Sequence, residues 1–402
     1  MSHPLPDSPE QRVLHPIPTR ELERRWRAVR ERMDELGIDA LVMQNSNDWL
    51  GGYVKWFTDR PATNAYPRAI VFPREGRMIS VEQGPTGGIR EVPPDDVVDR
   101  GVEKIVFTPS YASIHYTGTY DAELVQAELR RRGYKTVGLV GTACMYHDFC
   151  AHLKQTAGSV RFVDATDMVD HIKAIKSADE IEAIGRMAAM QDDVLQALAG
   201  HIRPGMKDFE IAAYAQYAGQ LRGSEQGLFI GSSSPAGRAA MYKPRHLQGR
   251  EMREGDSFTL LIENNGPGGY YGELARTFVL GKASQELLDT MALLVEAQRH
   301  TLDHLKPGAM PADILAAHND FMRARGMREE TRLYAHGQGY DMVERPLIRE
   351  DETMPIAAGM NIVVHPGHAT SSVFTTVCDN YIIGADGPGE CLHKTPKTII
   401  EL

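Results

Sequence analysis

Glu263 and Glu273 stand ten residues apart inside two otherwise apolar runs, FTLLIENN and YYGELARTFV. A carboxylate in such a run needs a cation, a hydrogen-bond partner or a chemical task. His336 follows in YAHGQGYD on a glycine-flanked turn, and His365 closes the short apolar stretch of MNIVVHPGH. Cys378 and Asp379 lie side by side in the β-branched run TTVCDNYII. Carboxylate, imidazole and thiolate all suit a zinc-like ion, and carboxyl and imidazole groups also move protons. If several of these strands turn one face into a common cavity, the residues form either a metal centre or a proton-transfer site.

The elements that must position them are legible as patterns. Gly255 to Gly281 predicts two strands joined by a glycine-rich turn, a hairpin. RPGMKDFEIAAYAQ from Arg203 is echoed by KPGAMPADILAAHND from Lys306, each a Pro-Gly turn leading into a helix, as a duplicated α+β half-domain would show. A helical pattern from about Asp170 runs unbroken to Arg203-Pro204-Gly205, and its part from Ala174 to Met190 is expected to join two domains. Upstream, Leu22, Trp26, Val29, Met33 and Leu36 place one apolar stripe on a helix that begins near Thr19 and stops at Gly37. IDALVMQ, AIVFP and TVGLVG read as strands and DAELVQAELRRRG as a helix. Strands alternating with helices predict an α/β domain over residues 1–165, ahead of an α+β domain over 166–402.

Composition narrows the partners. The 402 residues are 42% hydrophobic and 24% charged, enough to bury cores in two domains, and the net charge of -10 supplies no cationic footprint for nucleic acid. No apolar run approaches the roughly 18 to 20 residues that span a bilayer. The segment MSHPLPDSPEQRV lacks the charged-then-apolar pattern of a leader, so a cytoplasmic protein without a membrane partner is expected. The four cysteines, Cys144, Cys150, Cys378 and Cys391, form no CxxC pair and read as free thiols.

Taken together, the motifs resemble the creatinase, prolidase and methionine aminopeptidase family, whose catalytic domain has the pita-bread fold. RRWRAVRERMDELGIDALVMQNSNDWLGGY is similar to the opening of the small N-terminal domain of creatinase and the prolidases. KAIKSADEIEAIGRM looks like their shared linker helix. GYYGELARTFVLG, HGQG, the strand before His365-Pro366 and DNYIIGADG then follow the catalytic domain in order. The resemblance implies an α+β pita-bread domain behind a smaller α/β domain, and a homodimer.

The same resemblance implies a changed site. Metal-dependent members use two aspartates on the hairpin, a histidine in the HGxG turn, a glutamate before proline and a glutamate on the last strand. Here His336 keeps the histidine and Glu273 matches the second aspartate. The first falls on Glu263 by context or Ile262 by strict counting. His365 replaces the glutamate before proline, and Cys378 or Asp379 stands at the last position, facing opposite ways along the strand. The ligand set Glu263, Glu273, His336 and His365, with Cys378 or Asp379, suits at most a single divalent ion, and the site could equally work without metal, as creatinase does. Tyr242, Arg245, His246, Arg250, Tyr271 and Arg345 are substrate-binding candidates, Tyr242, Arg245 and Arg250 among them for a carboxylate; Arg276 reads as structural. The site implied is that of a creatinase-like hydrolase cleaving a C–N bond in a small, polar, non-peptide metabolite. The alternatives are an Xaa-Pro peptidase with a reduced metal site, a lyase of the kind that cleaves dimethylsulfoniopropionate, and a non-catalytic binding module.

Overall fold

The apolar stripe from Leu22 to Met33 winds into α1 (Thr19–Leu36), burying Leu22, Val29 and Met33. Gly37, at φ 63, takes the left-handed conformation that turns the chain into the first strand. A computed structural model describes residues 16–45, 52–61, 66–156 and 158–402. The N-terminal segment inspected for a leader and residues 46–51 of the family-like opening segment lie outside the described residues.

Residues up to Lys173 form one compact unit and Ala174–Leu402 a second. In the first, strands β1 (Ala40–Asn45), β2 (Arg68–Pro73), β3 (Met78–Gln83), β4 (Ile89–Glu91), β5 (Val102–Thr108), β6 (Thr136–Leu139) and β7 (Arg161–Asp164) pair in the order β4-β5-β3-β2-β1-β6-β7. β1 runs parallel to β6 and antiparallel to β2, so the sheet is mixed. Its helices are α1, α2 (Tyr53–Thr58), α3 (Tyr120–Arg132), α4 (His147–Thr156) and α5 (Thr166–Ala174).

The unbroken helix expected from Asp170 to Arg203 is two helices. α5 ends at Ala174 and α6 (Ala178–Ala199) begins after a short gap. The apolar period carries through the gap, but Ser177 breaks it. Its hydroxyl accepts from the Glu180 N–H at 3.3 Å, while the Glu180 carboxylate accepts from the Ser177 N–H at 2.8 Å, a reciprocal cap that starts a new helix. Ser177→Ala is expected to cost about 1 kcal/mol of stability, measured by urea unfolding; an unchanged midpoint would show that the cap is idle.

The second unit combines four helices with two larger sheets and a short two-stranded one. After α6 come α7 (Asp208–Gln220), β8 (Gly227–Ser234), β9 (Ser257–Asn265) and β10 (Tyr271–Val279). Then follow α8 (Gln285–His304), α9 (Pro311–Ala324), β11 (Ala335–Gly337), β12 (Glu344–Leu347), β13 (Asn361–Val364), β14 (Gly367–Ala369), β15 (Phe374–Thr376), β16 (Asp379–Ile383), β17 (Pro388–Cys391) and β18 (Ile400–Glu401). One sheet has the order β18-β10-β9-β8, another β12-β11-β13-β16-β17.

Alternation along these strands decides which side chains meet. Phe258, Leu260 and Ile262 of β9 and Leu274 and Phe278 of β10 pack on Val194, Leu198 and Ile211 of the α6–α7 layer. Ala335, Ile362, Val364, Tyr381 and Ile383 likewise share a core with Ile314 of α9. The residues between them in each strand face the other way, and the bridge between Ala275 and Cys378 joins the inner faces of the two sheets. Helices therefore cover both sheets on the outside, and the polar residues of both project into the space between.

Candidate active site

The register of the β9–β10 hairpin pairs Glu263 directly with Glu273, so both carboxyls rise on the inner face. Ile262 belongs to the helix-facing core, so of the two candidates it is Glu263 whose side chain lies on the inner face. Near the start of β10, Gly272 lets α6 approach: a Cβ there would stand 2.0 Å from the Met187 sulfur.

His336 comes from β11 and His365 from the residue after β13. His336 Nε2 lies 3.7 Å from Glu273 Oε2 and His365 Nδ1 3.9 Å from Glu273 Oε1. His336 Nδ1 bonds the Gly337 carbonyl at 2.9 Å, which places its proton on that nitrogen and leaves the Nε2 lone pair toward Glu273. One ligand atom from each of Glu273, His336 and His365 falls in a group within 4.8 Å of one another.

Electrostatics follows burial. Desolvation pushes the Glu273 carboxyl up to about 7 and, with the charge of Glu273 adding to it, Glu263 well above the usual carboxylate range. Burial holds His336 down to about 4 and His365 well below its ordinary value, His336 and Arg332 adding to the latter. A pocket with two facing carboxyls and two neutral imidazoles holds a shared proton, or welcomes a cation in its place.

Cys378 and Asp379 part company. The Cys378 thiol is buried on the Glu273 side and donates to the Glu273 carbonyl at 3.3 Å. Asp379 faces the opposite side, in a fully buried pair with Arg276 at 2.7 Å. With Cys391 and His393 it forms a second possible ligand group. There Asp379 is paired with Arg276 and faced by Lys397 Nζ at 3.7 Å, and His393 Nε2 is engaged by Gln191 at 2.8 Å, so the group is a structural network.

The remaining candidates are placed as follows. The Tyr242 hydroxyl is buried, and the charge of Glu273 acts on it. Tyr271 is buried in β10, its N–H donating to the Gly339 carbonyl at 2.7 Å. Arg245 and His246 are exposed on a single 3-10 turn. Arg250 pairs with Asp256 at 2.6 Å, and Arg345 turns onto Glu352, Nε to Oε2 at 3.1 Å. Neither Gln338, Asn380 nor Arg332 was singled out by the sequence reading. Gln338 donates to Glu263 Oε1 at 3.4 Å and accepts from Asn380 at 2.7 Å, while Asn380 Oδ1 accepts the Glu273 N–H at 2.9 Å. The signal for Gln338 was its place inside HGQG.

Fold and site together define a pita-bread hydrolase architecture. The model of metallopeptidase family M24 matches residues 182–384, half of the chain, and the protein belongs to that family of hydrolases. A probable dipeptidase PepE of Mycobacterium tuberculosis is 28% identical over 59% of this chain, and the match spans 63% of that relative's length. The Xaa-Pro dipeptidase of Pyrococcus furiosus is 20% identical over 66% of this chain and 76% of its own. The structure of an X-Pro aminopeptidase from Thermotoga maritima superposes with TM-score 0.77 at 18% identity, covering 94% of this chain and 99% of that one, which shows the shared fold. Among the described residues, no helix is long and apolar enough to cross a membrane.

Proposed function

We propose that this chain is an amide hydrolase acting on dipeptide-sized substrates of the Xaa-Pro type, with Glu273, His336 and His365 as the ligands of one divalent ion. The observation that carries the proposal is the grouping of those three donors within 4.8 Å. One carboxylate and two imidazoles are a ligand set of catalytic zinc sites. The donors present fit one ion and not two, because Asp379 is paired with Arg276 on the far side and His365 stands where a bridging carboxylate is needed. The names of the relatives favour the Xaa-Pro peptidase over the creatinase-like metabolite hydrolase read from the sequence, and the hydrolase family favours both over the lyase and the binding module.

When bound, a divalent ion supplies Lewis-acid polarisation of an amide carbonyl and a water of lowered pKa. Glu263 does the proton work. It faces Glu273 across the hairpin and is held by Gln338, so its carboxylate, ionised when a cation offsets the charge of Glu273, can take a proton from an attacking water and return it to the leaving nitrogen. His336 is locked in one tautomer by the Gly337 carbonyl and serves as a fixed neutral donor. The homodimer implied by the family resemblance belongs to the same proposal; sedimentation of a monomer at micromolar concentration would remove it.

One observation favours a second reading. His365 in place of a carboxylate leaves Glu263, Glu273 and two imidazoles able to pass protons without an ion, as the creatinase-like reading requires. Chelation separates the two. Dialysis against a strong chelator is expected to lower Xaa-Pro hydrolysis at least 10²-fold, with recovery on adding one equivalent of Zn²⁺ or Mn²⁺. Full activity after chelation, on a small cyclic amide or guanidino compound and not on Xaa-Pro dipeptides, would establish the second reading instead.

A further inference from the structure

We propose that Asn380 and Gln338 are positioning residues: they form a one-way relay of side-chain amides that turns an N–H, and never a carbonyl, to Glu263 Oε1 and so reserves Oε2 as the oxygen that meets the reacting water. The inference deepens the hydrolase reading, on which it rests for the task given to Glu263. The relay itself is read from hydrogen-bond chemistry.

The sense of the relay is set at an end that cannot turn round. A backbone N–H only donates, so the Glu273 N–H, at 2.9 Å, requires the oxygen of the Asn380 amide. The Asn380 nitrogen is thereby aimed at Gln338, whose oxygen accepts from it at 2.7 Å. With that oxygen taken, Gln338 has only Nε2 left for Glu263, and it donates to Oε1 at 3.4 Å. Asn361 fixes the same sense independently. The Gln338 backbone carbonyl only accepts, so it takes the Asn361 amide nitrogen at 3.2 Å, and the Asn361 oxygen then accepts from Asn380 Nδ2 at 3.3 Å. Two backbone groups, one donor and one acceptor, lead to a single orientation of three amides that could otherwise each sit either way round.

Burial makes that orientation expensive to reverse. Gln338, Asn361 and Asn380 are all buried, and turning any one of them would set oxygen against oxygen and nitrogen against nitrogen away from bulk water. The consequence falls on Glu263. A carboxyl has two equivalent oxygens, and a group that acts first as base and then as acid without rotating must take and return the proton on the same one. The Gln338 N–H breaks the equivalence, because a proton on Oε1 would point at the hydrogen of the amide, whereas a proton on Oε2 leaves the bond intact. The last link is the longest of the chain, and it is the one that strengthens when Glu263 is ionised, since a charged acceptor draws its donor closer.

Two measurements test the relay. In full-length protein isotopically labelled at glutamine nitrogen, with Zn²⁺ present, the Gln338 side-chain resonance is identified by its loss in Gln338→Met. One of its two protons is expected to be displaced downfield, and the displacement to vanish in Glu263→Leu and to shrink in Asn380→Leu. In Xaa-Pro hydrolysis, Gln338→Met is expected to lower kcat on the order of tenfold with KM within about threefold. Adding Asn380→Leu to it should lower kcat by less than about twofold more, since both substitutions cut the same chain. Losses that multiply in the double variant, a loss carried by KM, or a Gln338 resonance indifferent to Glu263→Leu would each overturn the relay. Should Gln338→Met not fold, Gln338→Glu keeps the shape and, once ionised, offers Glu263 only an acceptor; it must also lose kcat, and full activity in it refutes the relay. The resonance is read without turnover. Its displacement in a protein that hydrolyses no Xaa-Pro peptide would therefore support the relay and refute the hydrolase reading.

Discussion

Glu273→Gln is expected to lower kcat/KM for Xaa-Pro hydrolysis by about 10²- to 10⁴-fold, while making the metal-free protein more stable at alkaline pH. Both effects have one cause. The carboxyl is buried, faces Glu263 across the hairpin and is pushed up to about 7, so its charged form is tolerated for a task and not for the fold. A carboxyl whose pKa is higher in the folded state contributes stability that is fully present below about 4.5, the unfolded value, and is lost as pH rises through about 7. The ionised group then costs of the order of 3 kcal/mol near pH 8. Thermal melts of chelator-treated protein between pH 5 and 8 should fall more steeply for the parent than for Glu273→Gln. Parallel melting curves, or a variant that keeps its activity, would show that Glu273 is neither strained nor central.

Asp379→Ala should be the most damaging substitution for the fold of the second unit, costing roughly 3 to 5 kcal/mol. Arg276 and Asp379 are both fully buried and pair at 2.7 Å. The guanidinium also donates to the carbonyls of Ala275, Cys378, Thr395 and Pro396, tying β10 to the start of β16 and to the chain beyond β17. Gln298 of α8 donates to the other Asp379 oxygen at 3.1 Å. Removing the carboxylate leaves a buried cation with carbonyls alone, which accounts for most of the penalty. Replacing both partners with apolar residues, Arg276→Met with Asp379→Leu, should be less destabilising than Asp379→Ala. Denaturant unfolding of the single and double variants reads this directly, and a single variant within 1 kcal/mol of the parent would contradict the account.

What the sequence by itself determined follows from patterns short enough to lie within one element. The stripe on α1 with its glycine stop, the hairpin around Glu263 and Glu273, and the echo of the two Pro-Gly-helix segments, at α7 and α9, all rest on local periodicity and turn chemistry. The break before α6 is local too, since SADE carries its own capping signal, but an apolar period that continues across the gap masks it. The motifs were enough to place the chain in its family.

Parity and distance belonged to the tertiary structure. Counting could not choose between Ile262 and Glu263, because a count along the chain does not say which face of a strand is inward; the packing of Ile262 on the α6–α7 layer does. The alternation of Cys378 and Asp379 was visible in the sequence, but which of them turns to Glu273 depends on the bridge to Ala275 and on Arg276 claiming Asp379 from the other side. In the stretch from Met241 to Asp256, the sequence offered both Tyr242 and His246 as candidates. An irregular loop has no period from which to tell the exposed side chain from the one whose hydroxyl is buried, and the place of Tyr242 is fixed by its contact with Phe374, more than a hundred residues away in sequence.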